Sequence, residues 1–212
     1  MSDEIVFFHN PMSRGRIAHW ALEEVGVPYR IELKRFDKGE HKAPAFLELN
    51  PMGKLPTIIH RGVVITEAAA ICTYLADAFP AADLAPPIGD LSRGSYLRWM
   101  FFGAGCVEPA LVDKRFDRAP VLASGIGYGS YEDTLNTLEN AIGDGPYVLG
   151  ERFSAADIYL GSQIDWGLMS KSLEPRPRFL AYRERLSRRP AYKRVAAQNE
   201  QLAAQLQAEQ GS

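Results

Sequence analysis

The chain has 212 residues, of which 46% are hydrophobic, so it is long enough for one large or two small domains with a buried core. Its formal net charge is −2 at pH 7, with acidic and basic residues interspersed, which favours neither nucleic acid nor an anionic membrane as a partner. The first four residues are polar and acidic and no run approaches about 18 apolar residues, so we expect a cytoplasmic protein without a secretory signal or a membrane-spanning segment.

The first eighty residues predict alternating strands and helices. Short β-rich apolar runs indicate strands, and apolar residues at three-to-four spacing indicate helices. In chain order these elements are a strand at 5–8, a helix from 13 to 25, a strand at 29–33, a short helix at 44–47, a hairpin of strands at 57–59 and 63–65, and a helix from 68 to 79. The predicted order is therefore β-α-β-α-β-β-α, with a parallel crossover between the first two strands if they share a sheet.

The second part of the chain predicts helices only. The segment from Pro80 to Asp90 contains three prolines and no periodicity, as expected for a linker. Helical patterns follow at 91–112 (interrupted by glycines, with a kink expected at Pro109), 131–142, 155–169, 179–186 and from 191 onward. We expect the end beyond Asn199 to fray. The expected domains are 1–80 and 91–212, joined by a linker at 81–90.

Ser154 and Asp157 stand at the start of the helix predicted for 155–169. A serine followed three residues later by an acid resembles a capping box, in which both side chains satisfy backbone N–H groups. We interpret this pair as a stabilising element of about 1–2 kcal/mol.

The two cysteines, Cys72 and Cys106, lie far apart and match no metal-binding or redox spacing. They are typical of ordinary thiols in a reducing compartment. We therefore expect no metal site.

Four segments resemble those of the cytosolic glutathione transferase family in residues, order and spacing. They are Asn10-Pro11-Met12-Ser13, Asn50-Pro51-Met52-Gly53-Lys54-Leu55-Pro56, Thr66-Glu67-Ala68-Ala69-Ala70-Ile71 and Phe153-Ser154-Ala155-Ala156-Asp157-Ile158. The resemblance is to bacterial-type members with a serine-type active site. It implies an α/β N-terminal thioredoxin-like domain plus an all-α C-terminal helical bundle domain, with glutathione as co-substrate and a homodimeric assembly.

By this resemblance, the Leu55-Pro56 peptide bond is cis and presents the backbone N–H and C=O of Leu55 to glutathione. Glutathione's cysteinyl part would then pair with Leu55 as an added strand does. From the residues alone, an ordinary trans bond is the alternative.

Glu67, by the same resemblance, contacts the free amino group of glutathione, and the helix N–H groups after it hold the γ-glutamyl carboxylate. The alternative is an ordinary acid in a first helical turn. Many relatives carry serine after this acid, whereas this chain has Ala68. Loss of that hydroxyl predicts weaker glutathione binding, by about 1.5–3 kcal/mol unless Thr66 or the backbone substitutes.

Lys54 is the candidate for glutathione's glycyl carboxylate, with a solvated loop lysine as the alternative. His41 resembles a histidine that contacts the same carboxylate in insect-type members. His9 and His60 are interpreted as strand-end residues without a role in the site.

Ser13 is the proposed catalytic residue, and a helix N-cap is a compatible alternative. A free thiol has a pKa of about 8.5, and lowering it by two requires about 2.7 kcal/mol. One hydrogen bond to a charged acceptor contributes about 1.5–3 kcal/mol and the helix dipole about 0.3–1. Arg14 occupies the position where some relatives carry cysteine, and Phe7 and Phe8 lack the hydroxyl of tyrosine-type members.

Met12, Phe102 and Cys106 are expected to line the pocket for a small hydrophobic electrophile, although an aromatic stripe is also typical of a core. The function predicted from these residues is transfer of glutathione to apolar electrophiles. Two alternatives stay open: a glutathione-dependent peroxidase, isomerase or dehalogenase, and a non-catalytic adaptor of the same fold.

Overall fold

The computed structural model describes residues 4–118, 122–143 and 145–210 and divides into two compact units. The first unit combines the residues up to Ala82 with those from Pro190 onward, and the second runs from Asp83 to Arg189. None of the helices in the described ranges is long and apolar enough to cross a membrane. Residues 190–210 group with the first unit, whereas the expected boundaries assign them to the helical domain.

The first unit is an α/β unit. Its elements are β1 (Ile5–His9), α1 (Gly15–Val25), β2 (Tyr29–Leu33), a 3-10 turn (Glu40–Lys42), α2 (Pro44–Leu47), β3 (Thr57–His60), β4 (Val63–Thr66), α3 (Ala68–Ala78), a second 3-10 turn (Pro80–Ala82) and, from the other end of the chain, α9 (Pro190–Gln210). The predicted order β-α-β-α-β-β-α is confirmed.

The sheet has the strand order β2-β1-β3-β4, with β1 and β2 parallel and the other pairs antiparallel. Phe8 near the end of β1 pairs with Thr57 at the start of β3, and Thr57 pairs with Thr66 at the end of β4. Because these three residues are aligned across the sheet, the segments that follow β1, precede β3 and follow β4 lie at one end of it.

Helix α9 packs on α1 and continues to Gln210, so the fraying expected beyond Asn199 is wrong. Two contacts near the end explain the difference: Leu206 is buried, and Arg35 Nη1 donates to Glu209 Oε2 at 2.7 Å. The alanine, glutamine and leucine residues of this segment are also good helix formers.

The second unit is helical, as predicted. Its elements are α4 (Ser92–Phe102), a π-helical segment (Gly103–Val107), α5 (Glu108–Arg115), a 3-10 turn (Ala123–Gly125), α6 (Tyr131–Ile142), α7 (Ala155–Met169) and α8 (Pro177–Ser187). Helix α7 supplies much of the core, with Ile158, Leu160 and Ile164 fully buried.

The interruption predicted at the glycines of this long helix is confirmed, because the π-helical segment begins at Gly103. Gly103 lies so close to α7 that a Cβ there would come within 2.7 Å of the Tyr159 ring. Pro109 is the second residue of α5 and follows helical residues, Val107 and Glu108, so a kink at Pro109 stays a prediction.

The capping box at the start of α7 is confirmed. The backbone N–H of Ser154 donates to Asp157 Oδ2 at 2.8 Å, and its hydroxyl contacts the same oxygen at 3.0 Å. The N–H of Val148 and the hydroxyl of Tyr182 donate to Oδ1 at 2.8 and 2.7 Å. Burial raises the pKa of the Asp157 carboxyl, and the four hydrogen bonds oppose that shift.

Candidate functional site

The turn between β1 and α1 holds Ser13 in a fixed position. Asn10 shapes this turn: its Oδ1 accepts from the N–H of Met12 and its Nδ2 donates to the carbonyl of Lys34, both at 2.8 Å. The hydroxyl of Ser13 donates to the carbonyl of Asn10 at 2.7 Å and accepts from the N–H of Gly15 at 2.9 Å. The half-buried Ser13 therefore presents its oxygen at the first residue of α1.

The N-cap position itself is Arg14, so the N-cap alternative for Ser13 is displaced by one residue. Ser13 still accepts a hydrogen bond from a backbone N–H at the helix start, as an N-cap residue does. The positive end of the helix dipole makes this place favourable for an anion such as a thiolate. Arg14 and Arg16 are both exposed beside it.

The segment before β3 is organised by buried Asn50. Its Oδ1 accepts from the N–H of Met52 at 3.1 Å, and its Nδ2 donates to the carbonyl of Lys54 at 2.9 Å and to Thr57 Oγ1 at 3.1 Å. These bonds hold the stretch that carries Lys54, Leu55 and Pro56 against the start of β3.

The Leu55-Pro56 peptide bond is cis, as the family resemblance implied. The side chain of Leu55 is buried in a cluster with Phe8 and Phe46. Its backbone N–H and C=O make no hydrogen bond to any other residue that the structure describes. Leu55 therefore offers one donor and one acceptor to an extended peptide.

Glu67 stands at the N-cap position of α3 in a strained conformation. Its φ of 65° lies in the left-handed region, where a residue with a Cβ is held only against a cost of about 1–3 kcal/mol. The Glu67 side chain is exposed, and it does not cap the helix. The next residue, Ala68, is buried. Because Thr66 pairs with Thr57, this helix start lies next to Leu55 and Pro56.

His41 and Lys54 lie on neighbouring segments. A Cβ at Gly53 would come within 2.6 Å of the His41 carbonyl, and Lys42 Nζ donates to the carbonyl of Met52 at 2.8 Å. The structure therefore brings the His41 turn against the stretch that carries the exposed Lys54. The His41 ring itself packs edge-on against Phe36, with 4.8 Å between ring centroids.

Sequence reasoning missed two further cations at this end of the sheet. Lys42 joins the two segments just described. Lys34 follows β2, and its ammonium lies 5.3 Å from the ring centroid of Phe8 and 5.9 Å from that of Phe46. Both lysines stand in a polar stretch without a motif, so only the contacts in the folded chain identify them.

Sequence reasoning also gave His9 no role. The structure buries it fully, and its Nδ1 lies against the Ser13 turn, 2.3 Å from where a Cβ at Gly15 would stand. Burial, together with the charges of His19 and Arg16, lowers the pKa of His9 to about 3, so the ring is neutral.

The expected pocket residues belong to different units. Met12 is 74% exposed beside Ser13 in the first unit. In the second unit, Phe102 ends α4 with its ring edge-on to Trp99, and Cys106 lies in the π-helical segment, where its thiol contacts the Gly127 carbonyl at 3.5 Å. Burial raises the pKa of the Cys106 thiol. That these residues share a pocket stays a prediction.

Within the described part of the chain, no group of three or more histidine, cysteine and acidic side chains could hold a metal ion.

Comparison with known proteins identifies the family. Residues 4–77 match the family model "Glutathione S-transferase, N-terminal domain", and residues 109–185 match "Glutathione S-transferase, C-terminal domain". Glutathione S-transferase 3 of Schizosaccharomyces pombe is 31% identical over 172 residues, which cover 72% of this chain and 70% of that protein.

Two solved structures are similar over nearly the whole chain. A glutathione transferase from Methylococcus capsulatus str. Bath is 28% identical with a TM-score of 0.78, covering 92% of this chain and 98% of the other. A sphingomonad glutathione S-transferase complexed with glutathione is also 28% identical, with a TM-score of 0.75 and the same coverage. These findings confirm the fold class and the main interpretation of the sequence as a glutathione transferase enzyme. The chain belongs to the glutathione S-transferase family.

Proposed function

We propose that this protein is a bacterial-type, serine-type glutathione transferase in which Ser13 stabilises the thiolate of glutathione for attack on small apolar electrophiles. One observation carries the proposal. The alignment of Phe8, Thr57 and Thr66 across the sheet gathers the Ser13 turn, the free backbone groups of Leu55 and the uncapped start of α3 at one place. A thiol peptide with a free amino group and two carboxylates is complementary to these groups.

Each part of glutathione has a candidate partner. The cysteinyl backbone pairs with the N–H and C=O of Leu55 beside Pro56. The amino group contacts Glu67, and the γ-glutamyl carboxylate accepts from the backbone N–H groups that begin at Ala68. The glycyl carboxylate lies near Lys54 and His41. Two further cations, Lys42 and Lys34, attract this carboxylate electrostatically.

Hydrogen-bond strengths favour a switch of the Ser13 hydroxyl from the Asn10 carbonyl to the thiolate of glutathione. In the free protein it donates to the carbonyl of Asn10. A neutral hydrogen bond of this kind contributes about 0.5–1.5 kcal/mol, whereas one to a charged acceptor contributes about 1.5–3 kcal/mol. Rotation toward a thiolate is therefore favourable, and the positive end of α1 adds to it. The thiol proton passes to solvent as the thiolate forms. The thiolate then attacks the electrophilic carbon: with an aryl halide the carbon–sulfur bond forms, the carbon–halogen bond breaks and halide leaves to solvent.

The remaining parts of the proposal concern the whole protein. Two copies form a homodimer, supported by exposed apolar residues such as Leu91 and Phe101. The free thiols of Cys72 and Cys106 are in keeping with a cytoplasmic location. A monomer mass in sedimentation would contradict the dimer.

The experiment combines glutathione titration with conjugation kinetics. We expect calorimetry at pH 7 to show saturable binding of reduced glutathione. In Ser13→Ala we expect kcat/KM with an aryl halide to fall by about 10-fold to 150-fold, the value of one hydrogen bond to a charged acceptor. Ser13→Thr keeps a hydroxyl and is the matched control. Peroxides and isomerisable substrates in the same panel separate conjugation from the related reactions. No binding at millimolar glutathione would favour the non-catalytic adaptor.

A further inference from the structure

His9 lies directly beneath the first turn of α1. Its ring is fully buried and stacks on Phe7 with 4.8 Å between centroids. A Cβ at Gly15 would stand 2.3 Å from His9 Nδ1 and 2.9 Å from Ser13 Oγ. The ring therefore needs glycine at position 15, and it lies close to the same point as the Ser13 oxygen.

The other ring nitrogen of His9 is held by α9. Nε2 lies 2.7 Å from Oδ1 of Asn199, a residue 190 positions away in the sequence. The Asn199 Nδ2 group lies 2.8 Å from the Val195 carbonyl and 3.2 Å from His19 Nδ1. Since an amide oxygen only accepts, the hydrogen-bond network assigns the His9 proton to Nε2. Nδ1 of His9 then carries a lone pair, and no described residue donates to it.

From Asn199 to Glu23 the donors point one way. His19 Nε2 donates to the Tyr29 hydroxyl at 2.9 Å, and that hydroxyl donates to Glu23 Oε1 at 2.7 Å. The series ends at the Glu23 carboxylate, whose Oε2 accepts from Arg194 Nε at 2.7 Å from the opposite side. With every donor from His9 to Tyr29 committed towards Glu23, the His9 ring has one tautomer and one orientation.

The surroundings of His9 oppose a positive charge on it. The titratable and charged groups around this series come from α1, β2 and α9, and they are His19, Arg16, Glu23, Tyr29 and Arg194. Burial comes first and the charges of His19 and Arg16 follow in lowering the pKa of His9 to about 3. A protonated ring would also point an N–H at the positive end of α1, where no acceptor is present among the described residues.

We propose that His9 is a positioning residue for Ser13, and that Asn199 of the C-terminal helix fixes it. The neutral ring supports Gly15 and so sets where the Ser13 hydroxyl points. The inference rests on the proposed role of Ser13 and extends it to two residues that do not touch glutathione. It also gives α9 a part in the chemistry of the N-terminal unit.

The test measures the pKa of the bound glutathione thiol by its ultraviolet absorbance, together with conjugation rates from pH 6 to 9. In Asn199→Leu, His9 loses its acceptor and the Ser13 hydroxyl its fixed direction. We expect the pKa of the bound thiol to rise toward the ordinary value of about 8.5 and kcat/KM at pH 6.5 to fall by about 10-fold or more. Above that pH the rate should recover, because the thiol then ionises without help. A structural defect would lower the rate at every pH.

Two further variants keep the result interpretable. Glu209→Ala removes another tie of α9, the one to Arg35, and should leave the thiol pKa unchanged. An equal shift in that control would overturn the proposal, since loosening α9 anywhere would then suffice. If Asn199→Leu does not fold, His9→Gln is the second variant, and it keeps a donor toward Asn199. It should raise the pKa of the bound thiol in the same direction but by less.

The outcomes separate this proposal from the proposed function. If both folded variants leave the thiol pKa unchanged while Ser13→Ala raises it, His9 has no positioning role. If Ser13→Ala also leaves it unchanged, the serine-type mechanism itself fails.

Discussion

Helices α7 and α3 both begin with backbone N–H groups that have no partner inside the helix, but the two starts are built differently. At α7, the side chains of Ser154 and Asp157 form a buried capping box. At α3, no side chain caps the helix, and exposed Glu67 is held at a φ of 65°. The first start is complete within the chain, whereas the second leaves hydrogen-bond donors for something else.

The difference has a cost in stability. A missing cap costs about 1 kcal/mol, and a strained residue at positive φ about 1–3 kcal/mol. Strained residues cluster at ligand sites because the surrounding structure holds them there. The start of α7, which its capping box closes, stabilises the fold. The start of α3, which stays open because no side chain caps it, is suited to an anionic ligand. The predictions below test that contrast in order of decreasing effect.

Removing the acidic side chain of Asp157 from the closed start of α7 should lower stability more than any other change predicted here. Asp157→Ala leaves the N–H groups of Val148 and Ser154 and the hydroxyl of Tyr182 buried without an acceptor. We expect a loss of about 3–5 kcal/mol in the free energy of unfolding, or a Tm lower by roughly 6–20 °C. Thermal and urea unfolding measure it.

The same motif at the surface provides the control. Ser130 caps α6 by accepting from the N–H of Asp133, and the two side chains contact each other at 2.6 Å, exposed to solvent. Asp133→Ala should cost no more than about 1 kcal/mol. Equal losses in the two variants would show that burial of the capping box is not what makes α7 sensitive.

Buried histidines, His9 and His19, lie beneath the start of α1. We therefore expect acid to lower the stability of the protein. Burial lowers the pKa of both His9 and His19, that of His9 to about 3. Unfolded histidines titrate near 6.5, so below that pH the unfolded chain binds more protons than the folded chain. The stabilisation is therefore present above pH 6.5 and is lost as the pH falls toward 3.

For His9 we expect the free energy of unfolding to fall by up to about 1.4 kcal/mol per pH unit below pH 6.5, and His19 contributes in the same direction. Urea unfolding at pH 7 and pH 5 measures the slope. His9→Gln should flatten it. An unchanged slope in His9→Gln would contradict the assignment of a buried neutral ring.

At the open start of α3, the expected effect is on binding instead of stability. Glu67→Gln removes the charge that faces the amino group of glutathione in our proposal. We expect glutathione to bind about 1.5–3 kcal/mol more weakly, or about 10-fold to 150-fold, with little change in Tm. Glu48→Gln makes the same charge change at an exposed residue just after α2. If calorimetry gives the two variants the same affinity, Glu67 does not contact the ligand.

What the sequence predicted depends on how local each feature is. The strands, the helices and the Ser154–Asp157 capping box follow from residues within a few positions of each other, and all were found. The cis bond at Leu55-Pro56 was predicted by family resemblance, because proline alone does not specify the isomer.

The features that were missed depend on distant contacts. Helix α9 persists to its end through contacts such as that of Arg35 with Glu209. His9 acquires its environment from Asn199 at the other end of the chain. No periodicity or motif in a single sequence encodes such pairs.

The smallest expected effect concerns the residue by which this chain departs from many relatives. Ala68→Ser would return a hydroxyl to the first turn of α3, where the γ-glutamyl carboxylate is proposed to lie. Because the backbone N–H groups of the helix start are proposed to hold the carboxylate already, one more hydrogen bond to it should tighten glutathione binding by about 1.5 kcal/mol, the lower end for a charged acceptor, or roughly 10-fold. Serine is a slightly poorer helix former than alanine, so Tm should change little or fall slightly.

Ala69→Ser, one position farther along the helix, is the matched control and should leave the affinity unchanged. Calorimetric titration of both variants with reduced glutathione decides the point. Tighter binding in Ala68→Ser alone would mean that the open helix start holds the carboxylate through its backbone and lacks one side-chain bond. Equal affinities would mean that the carboxylate lies elsewhere, and the contrast between the starts of α3 and α7 would then concern stability alone.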